Sequence, residues 1–231
     1  MCKTHFWGEI ILKALFVNGS PRKNWNTHKM LESAAKGAAE AGAETEIVHL
    51  YDMAFKGCVS CFACKVKGNR TNGLCAFRDP LTPVLEKARA ADVIVIGSPV
   101  YFSYPTGPTR SFLERLMFPV LAYKTEGRRI LKRTVPTAMI YTMNCTEEMM
   151  DQVNYPVLLS PNAGALEMLF GYSETLYSCD TMQFTDYSRY DVTLFDGDHK
   201  AQHREEQFPK DLQNAFDLGK RLVQKAVEMN Q

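Results

Sequence analysis

A chain of 231 residues, 45% hydrophobic and 23% charged, is long enough to bury a sizeable core as one large domain or two small ones. Its formal net charge of +1 gives no electrostatic case for nucleic acid or an anionic membrane as the main partner. No uncharged apolar run approaches the length of a membrane span, and the odd number of cysteines, seven, argues against a disulfide framework and for a reducing cytoplasm.

Met1 to Glu9 (MCKTHFWGE) is too short and too polar for a signal peptide and reads as a leader. The apolar run Ile10 to Val17 predicts a first strand, feeding the polar loop Asn18-Gly19-Ser20-Pro21-Arg22-Lys23-Asn24-Trp25-Asn26-Thr27. Apolar residues at helical spacing from Thr27 to Ala41, with Gly42 at the cap, predict a helix. Glu44 to Leu50 predicts a second strand, Tyr51 to Pro80 is loop-rich and carries four cysteines, and Pro83 to Ala91 is a short helix. The β-branched run Asp92 to Gly97 predicts a strand covered on both faces, ending in a loop from Ser98 to Gly107. A helix over Thr109 to Phe118 follows, then a fourth strand over Thr137 to Thr142 ending at Met143-Asn144-Cys145. Glu147 to Phe170 is helical but broken by Pro156 and Pro161, which predicts two pieces or a kink. Glu174 to Cys179 predicts a fifth strand, with Thr181 to Phe195 a partly extended tail. Asp196 to Gln207 is polar and reads as a surface loop. An amphipathic helix over 208–229 closes the chain, with Gly219 as a small, weakening member of its apolar stripe.

Strands alternating with helices imply an α/β, three-layer sandwich: a five-stranded parallel sheet with helices on both faces. The length fits the flavodoxin-like order 2-1-3-4-5, which puts a ligand at the carboxyl ends of the first and third strands. That topology brings two loops together. The first joins strand to helix, so backbone N–H groups and a positive helix end face one point. Ser20, Asn26 and Thr27 add neutral donors and Arg22 and Lys23 add cations, which suits a phosphate monoester. There is no G-x-x-x-x-G-K-[ST] for a nucleoside triphosphate and no G-x-G-x-x-G for a dinucleotide. The second loop is stiffened by Pro99, Pro105 and Pro108, and Tyr101, Phe102 and Tyr104 suit a planar heterocycle. A phosphate site beside a stiff aromatic loop matches the two ends of flavin mononucleotide, FMN.

NGSPRKNWNT at 18–27, GCVSCFAC at 57–64, ADVIVIGSPVYFSYPTG at 91–107 and TRSFLERL at 109–116 together resemble the NADPH-dependent FMN reductase-like branch of the flavodoxin fold. Within it the likeness is to the iron-sulfur flavoproteins, and it covers most of residues 10–180. The resemblance implies that Ser20, Arg22, Asn26 and Thr27 hold the FMN phosphate. Pro99, Val100, Tyr101, Phe102 and Ser103 would border the isoalloxazine, with Asn144 and its turn touching it from the fourth strand. It implies an FMN-dependent oxidoreductase passing electrons from NAD(P)H to a quinone, flavin or other small acceptor, built as one flavin domain over 10–231 and assembled as a homodimer or homotetramer. The flavin carries the chemistry, so no catalytic side chain is named. The alternatives are an electron carrier between protein partners and a redox-sensing protein that has lost its flavin.

Cys58-x2-Cys61-x2-Cys64 with Cys75 supplies the four thiolates of a [4Fe–4S] cluster, and tight C-x-x-C spacing lets a loop wrap one. The ten residues KVKGNRTNGL between Cys64 and Cys75 exceed the usual gap of the iron-sulfur flavoproteins, although a longer loop closes at modest entropic cost. Zinc in a Cys₄ site and a metal-free loop remain open beside the cluster. Cys2, Cys145 and Cys179 read as incidental or packed thiols. His199-x3-His203 has helical metal-ligand spacing but sits in a charged segment and reads as solvated, as does the basic run Arg128-Arg129 with Lys132-Arg133.

Overall fold

The computed structural model describes residues 11–68 and 71–231. The predicted leader, Cys2 and part of the Cys64–Cys75 interval (Asn69 and Arg70) lie outside the described residues. The first half of the chain runs β1 (Lys13–Asn18), α1 (Asn26–Glu40), β2 (Glu44–His49), α2 (Thr82–Ala90), β3 (Val93–Tyr101), β4 (Tyr104–Pro105) and α3 (Gly107–Met117). The second half runs β5 (Leu121–Lys124), β6 (Gly127–Arg129), β7 (Val135–Thr142), α4 (Glu147–Gln152), α5 (Tyr155–Phe170), β8 (Gly171–Ser178), α6 (Gly197–Glu206) and α7 (Phe208–Glu228).

The main sheet has the order β2-β1-β3-β7-β8, with these strands all parallel. Counting only its long strands, this is the 2-1-3-4-5 order that the sequence predicts. Strand periodicity decides which helix each residue meets. Leu15, Val17, Ile94, Ile96, Met139 and Tyr141 face one layer with residues of α2, α3 and α5. Their neighbours Ala14, Phe16, Val93, Val95, Ala138 and Ile140 face the other layer with α1 and α7. Both faces of the sheet are therefore dry, as the β-branched runs require.

The α1–α7 contact explains Gly219. A Cβ there would sit 1.9 Å from the Ala34 carbonyl oxygen, and one on Gly37 would sit 1.9 Å from that of Phe216. The two glycines let the helix backbones touch, so Gly219 is a packing requirement and not merely a weak point in the stripe.

The structure departs from the predicted elements at a few places. The loop expected from Ser98 to Gly107 is largely a hairpin: β3 runs on to Tyr101 and turns back through β4. Its turn residues, Phe102 and Ser103, both have positive φ (49° and 70°), as a two-residue turn between twisted strands demands. The short β5–β6 hairpin has no predicted counterpart, because few apolar residues mark it. The tail from Thr181 to Phe195 is partly extended, as expected, at Asp186 and Tyr190, but forms no strand and carries a short 3₁₀ turn at Tyr187–Arg189. The segment read as a polar surface loop, 196–207, is mostly the helix α6, whose start is capped by the Asp196 carboxylate accepting from the Asp198 N–H. The predicted break within 147–170 is borne out. Asn154, in the left-handed region at φ 57°, separates α4 from α5, Pro156 lies in the first turn of α5, and Pro161 is inside it.

Candidate functional site

The two predicted loops are fastened to each other at the carboxyl ends of β1 and β3. The Gly19 N–H donates to the Gly97 carbonyl at 2.8 Å, and the Thr106 hydroxyl donates to the Gly19 carbonyl at 2.7 Å. A Cβ on Gly19 would meet Thr109 Oγ1 at 1.8 Å, so only glycine allows this approach. Beyond it the loop folds on itself: the Ser20 N–H donates to Asn18 Oδ1 at 2.9 Å and the Arg22 N–H to Ser20 Oγ at 3.1 Å. Trp25 occupies the cap position of α1 without a side-chain cap bond, which leaves the helix's first N–H groups without that partner.

A cleft of about 180 Å³ opens here. Of the predicted residues, Ser20, Arg22, Asn26, Thr27, Pro99, Val100, Tyr101 and Asn144 line it. Phe102 and Ser103 do not; they form the hairpin turn, where Phe102 is 96% exposed. Lys23 also turns elsewhere, pairing with Asp52 at 2.6 Å.

The donors of the loop converge. The Asn26 carboxamide donates to the Met182 carbonyl at 2.8 Å, and the Trp25 indole N–H reaches the same oxygen at 3.0 Å. The Arg22 guanidinium donates to the Gln183 carbonyl at 2.6 Å and lies 3.9 Å over the Trp25 ring. Arg204 of α6 donates to Asn26 Oδ1 at 2.6 Å, fixing which way that carboxamide points. Thr27 and Thr142 share a hydrogen bond of 2.7 Å beneath. Asn144 donates to Gln183 Oε1 at 3.1 Å, while its own Oδ1 is buried without a partner. Burial and the neighbouring Tyr51 push the Tyr101 phenol up, against the opposing influence of Arg22. Sequence reasoning missed Trp25, Thr142, Met182, Gln183 and Arg204. The indole donor was legible in the loop itself; backbone carbonyls from a distant segment leave no signature.

The four cysteines of the predicted cluster line a single narrow cavity. Ser60 and Phe62 take left-handed φ values of 53° and 54°, so the chain coils tightly between Cys58 and Cys64. Two cations stand beside the thiols. Arg115 of α3, its side chain fully buried, pairs with Asp79 and donates to the carbonyls of Lys56 (3.1 Å) and Phe77 (2.7 Å). One guanidinium thereby ties down both ends of the cysteine loop, and its Nε is buried without a partner. Lys65 donates to the carbonyls of Phe118 and Leu121, and burial holds its pKa down. Burial pushes the Cys64 thiol up; Lys65 opposes this, and Cys75 and Cys58 add to it. Among the described residues, no group of three or more His, Cys, Asp or Glu side chains is placed to hold a metal ion.

His199 and His203 are not simply solvated. They lie with Asp180 along a cleft of about 490 Å³, His199 Nε2 2.6 Å and His203 Nε2 3.9 Å from Asp180 Oδ2. Arg133 is likewise engaged, with Asp92 at 2.7 Å and the Ala91 carbonyl at 2.6 Å. Cys179 is buried and its thiol is pushed up to about 12, chiefly by that burial, as befits a packed thiol. Burial also raises Cys145.

Residues 12–153 match the family described as NADPH-dependent FMN reductase. The chain belongs to this family. The matched span holds both fastened loops, the cysteine cavity and the turn at Asn144, and leaves out Met182, Gln183 and Arg204. An iron-sulfur flavoprotein of Archaeoglobus fulgidus is 42% identical over 104 residues, 45% of this chain and 48% of that protein. One of Methanocaldococcus jannaschii is 34% identical over 104 residues, 45% of this chain and 51% of that protein. The chain spans about half the length of the curated relatives it matches. Among solved structures, an NAD(P)H:quinone oxidoreductase of Methanothermobacter marburgensis superposes with a TM-score of 0.64 at 18% identity, covering 92% of this chain and 99% of that one. At this identity it bears on fold alone. Among the described residues, no helix is long and apolar enough to cross a membrane.

Proposed function

We propose that the chain is an FMN-dependent oxidoreductase that draws electrons from a reduced nicotinamide and delivers them to a quinone, free flavin or other small acceptor. The observation that carries this reading is the convergence of Arg22, Trp25 and Asn26 on two adjacent oxygen acceptors beside the first turn of α1. Those groups offer a cation and two neutral N–H donors to oxygen acceptors, which is the recognition a phosphate monoester needs. The buried, unpartnered Asn144 Oδ1 offers an acceptor, as the polar edge of an isoalloxazine would require. Ser20, Arg22, Trp25, Asn26 and Thr27 would hold the phosphate, and Pro99, Val100, Tyr101 and Asn144 would border the ring. When bound, the flavin supplies hydride and electron transfer; the protein's part is to grip, orient and shield it. Replacing Arg22 and Thr27 together by alanine removes a charge-assisted donor and a wall hydroxyl. FMN should then bind about ten- to a hundredfold more weakly, by fluorescence titration. Unchanged affinity would sink the assignment.

The cysteine cavity favours a second reading, an iron-sulfur flavoprotein that relays electrons between protein partners. Cys58, Cys61, Cys64 and Cys75 would supply the ligands, with Arg115 and Lys65 offsetting the negative charge of a thiolate-bound cluster. An anaerobic visible spectrum with iron and sulfide assays separates the two. Broad brown absorption with about four irons per chain supports the carrier; flavin bands alone, with steady NAD(P)H oxidation by an artificial acceptor, support the enzyme.

A further inference from the structure

The side-chain donors of the anion loop already have acceptors, and both come from one short segment. The Met182 carbonyl takes Trp25 and Asn26, and the Gln183 carbonyl takes Arg22. Two adjacent carbonyl oxygens on a cation and two N–H groups present much the same acceptor pattern as two oxygens of a phosphate. The Asn26 carboxamide is held for that role: Arg204 occupies its oxygen, and the guanidinium is itself stacked 3.9 Å over Phe208.

The segment is fixed at one end and lightly held at the other. Asp180, in the left-handed region at φ 53°, is clamped by buried Lys200, and Thr181 is bound twice to the Met143 carbonyl, by its N–H and its hydroxyl, both at 2.9 Å. Past Thr181 there is no strand. The Gln183 N–H donates to the Tyr187 hydroxyl at 3.0 Å, its side-chain Oε1 accepts from the Asn144 carboxamide at 3.1 Å, and Tyr187 packs edge-on against Phe184. A firm root with a loosely tied tip is a hinge.

Building on the flavin reading above, we infer that the carbonyls of Met182 and Gln183 are an internal substitute for the flavin phosphate. The segment Thr181–Gln183 competes with FMN for Arg22, Trp25 and Asn26 and moves off the loop as the phosphate enters. The exchange favours FMN because a phosphate dianion makes stronger, charge-assisted bonds than neutral carbonyls do. Riboflavin carries the same ring without the phosphate and does not compete for these donors.

Tyr187→Phe removes the backbone tie on the segment's tip without touching the loop, and leaves the Asn144–Gln183 side-chain bond in place. FMN should then bind about three- to tenfold more tightly while riboflavin affinity stays as it was. An unchanged ratio of FMN to riboflavin affinity, or a weaker hold on FMN alone, would make the segment a fixed wall of the site and overturn the inference. Hydrogen exchange on the unaltered protein gives an independent check. Amides 182–187 should exchange faster after FMN is added, and unchanged or slower exchange counts against displacement. If the unaltered protein binds neither flavin, the flavin reading falls and the inference with it. If it binds both, with the ratio and the exchange unmoved by mutation or ligand, only the inference falls.

Discussion

Arg115, the next-to-last residue of TRSFLERL, is buried on the inner face of α3. Its side chain is fully buried, yet it carries a charge, one carboxylate partner and two carbonyl acceptors that lie on either side of the cysteines. Arg115→Met keeps the volume and deletes the staple, leaving Asp79, only 12% exposed in its side chain, facing no cation. Breaking a buried pair from one side costs about 3–5 kcal/mol, so the urea midpoint should fall by that equivalent. Adding Asp79→Asn should return part of the loss, because the orphaned charge goes with it. A loss below about 1 kcal/mol for the single variant, less than one ordinary buried hydrogen bond is worth at the upper end, would mean that the loop ends are held by something else. Nothing in the sequence announces Arg115, since an arginine at an inward helical position is indistinguishable from one at a helix edge until the loop it fastens is seen.

At the scale of elements, legibility followed apolar periodicity. The five long strands and the helices with an apolar stripe were readable because each must bury a face, and Leu15 and Phe16, one residue apart, already face opposite layers. The β3–β4 hairpin was not, because Pro99 and Pro105 resemble loop punctuation and its turn uses Phe102 and Ser103 where asparagine and glycine are the usual signal. Helix α6 was missed for the opposite reason: GDHKAQHREE has no apolar stripe. Its inward contacts are made by charged side chains, Lys200 on Asp180 and Arg204 on Asn26. The capping aspartate at 196 was the one available clue. The candidate site divides in the same way. Its β–α loops were legible as motifs, and the segment Thr181–Gln183 and α6 that complete it, both beyond the family match, were not.

Across the whole molecule, Asp180 ties α6 to the turn after β7 and to the segment after β8. Its backbone N–H donates to the Cys145 carbonyl at 2.7 Å, and its carboxylate holds Lys200, which also donates to the Asn144 carbonyl. Helix α6, the turn after β7 and the segment after β8 therefore meet at one ion pair, with His199 and His203 facing the same carboxylate. Burial pushes the Asp180 pKa up, but the hydrogen bonds from Lys200 and His199, together with the charges of Lys200 and His203, outweigh it. The carboxyl is held below its usual value. A carboxyl depressed in the folded state binds fewer protons there than in the unfolded chain. Its stabilising contribution is therefore complete above the unfolded value, about 3.9, and is lost as pH falls below that value through the folded one. Asp180→Asn abolishes this titration while keeping a residue that tolerates the left-handed backbone. It also leaves Lys200, 1% exposed in its side chain, facing a neutral partner. The melting temperature of the variant should start lower at neutral pH and converge on that of the unaltered protein as the pH is taken below 4. A constant gap between the two curves across this range would show that the ion pair does not carry the acid sensitivity. Because Asp180 roots the segment that lies over Arg22 and Asn26, the same acid step should weaken the hold of Met182 and Gln183 on the anion loop. It should do so before the sheet itself unfolds, and a rise in hydrogen exchange confined to the amides after Asp180 is the measurement that would reveal it.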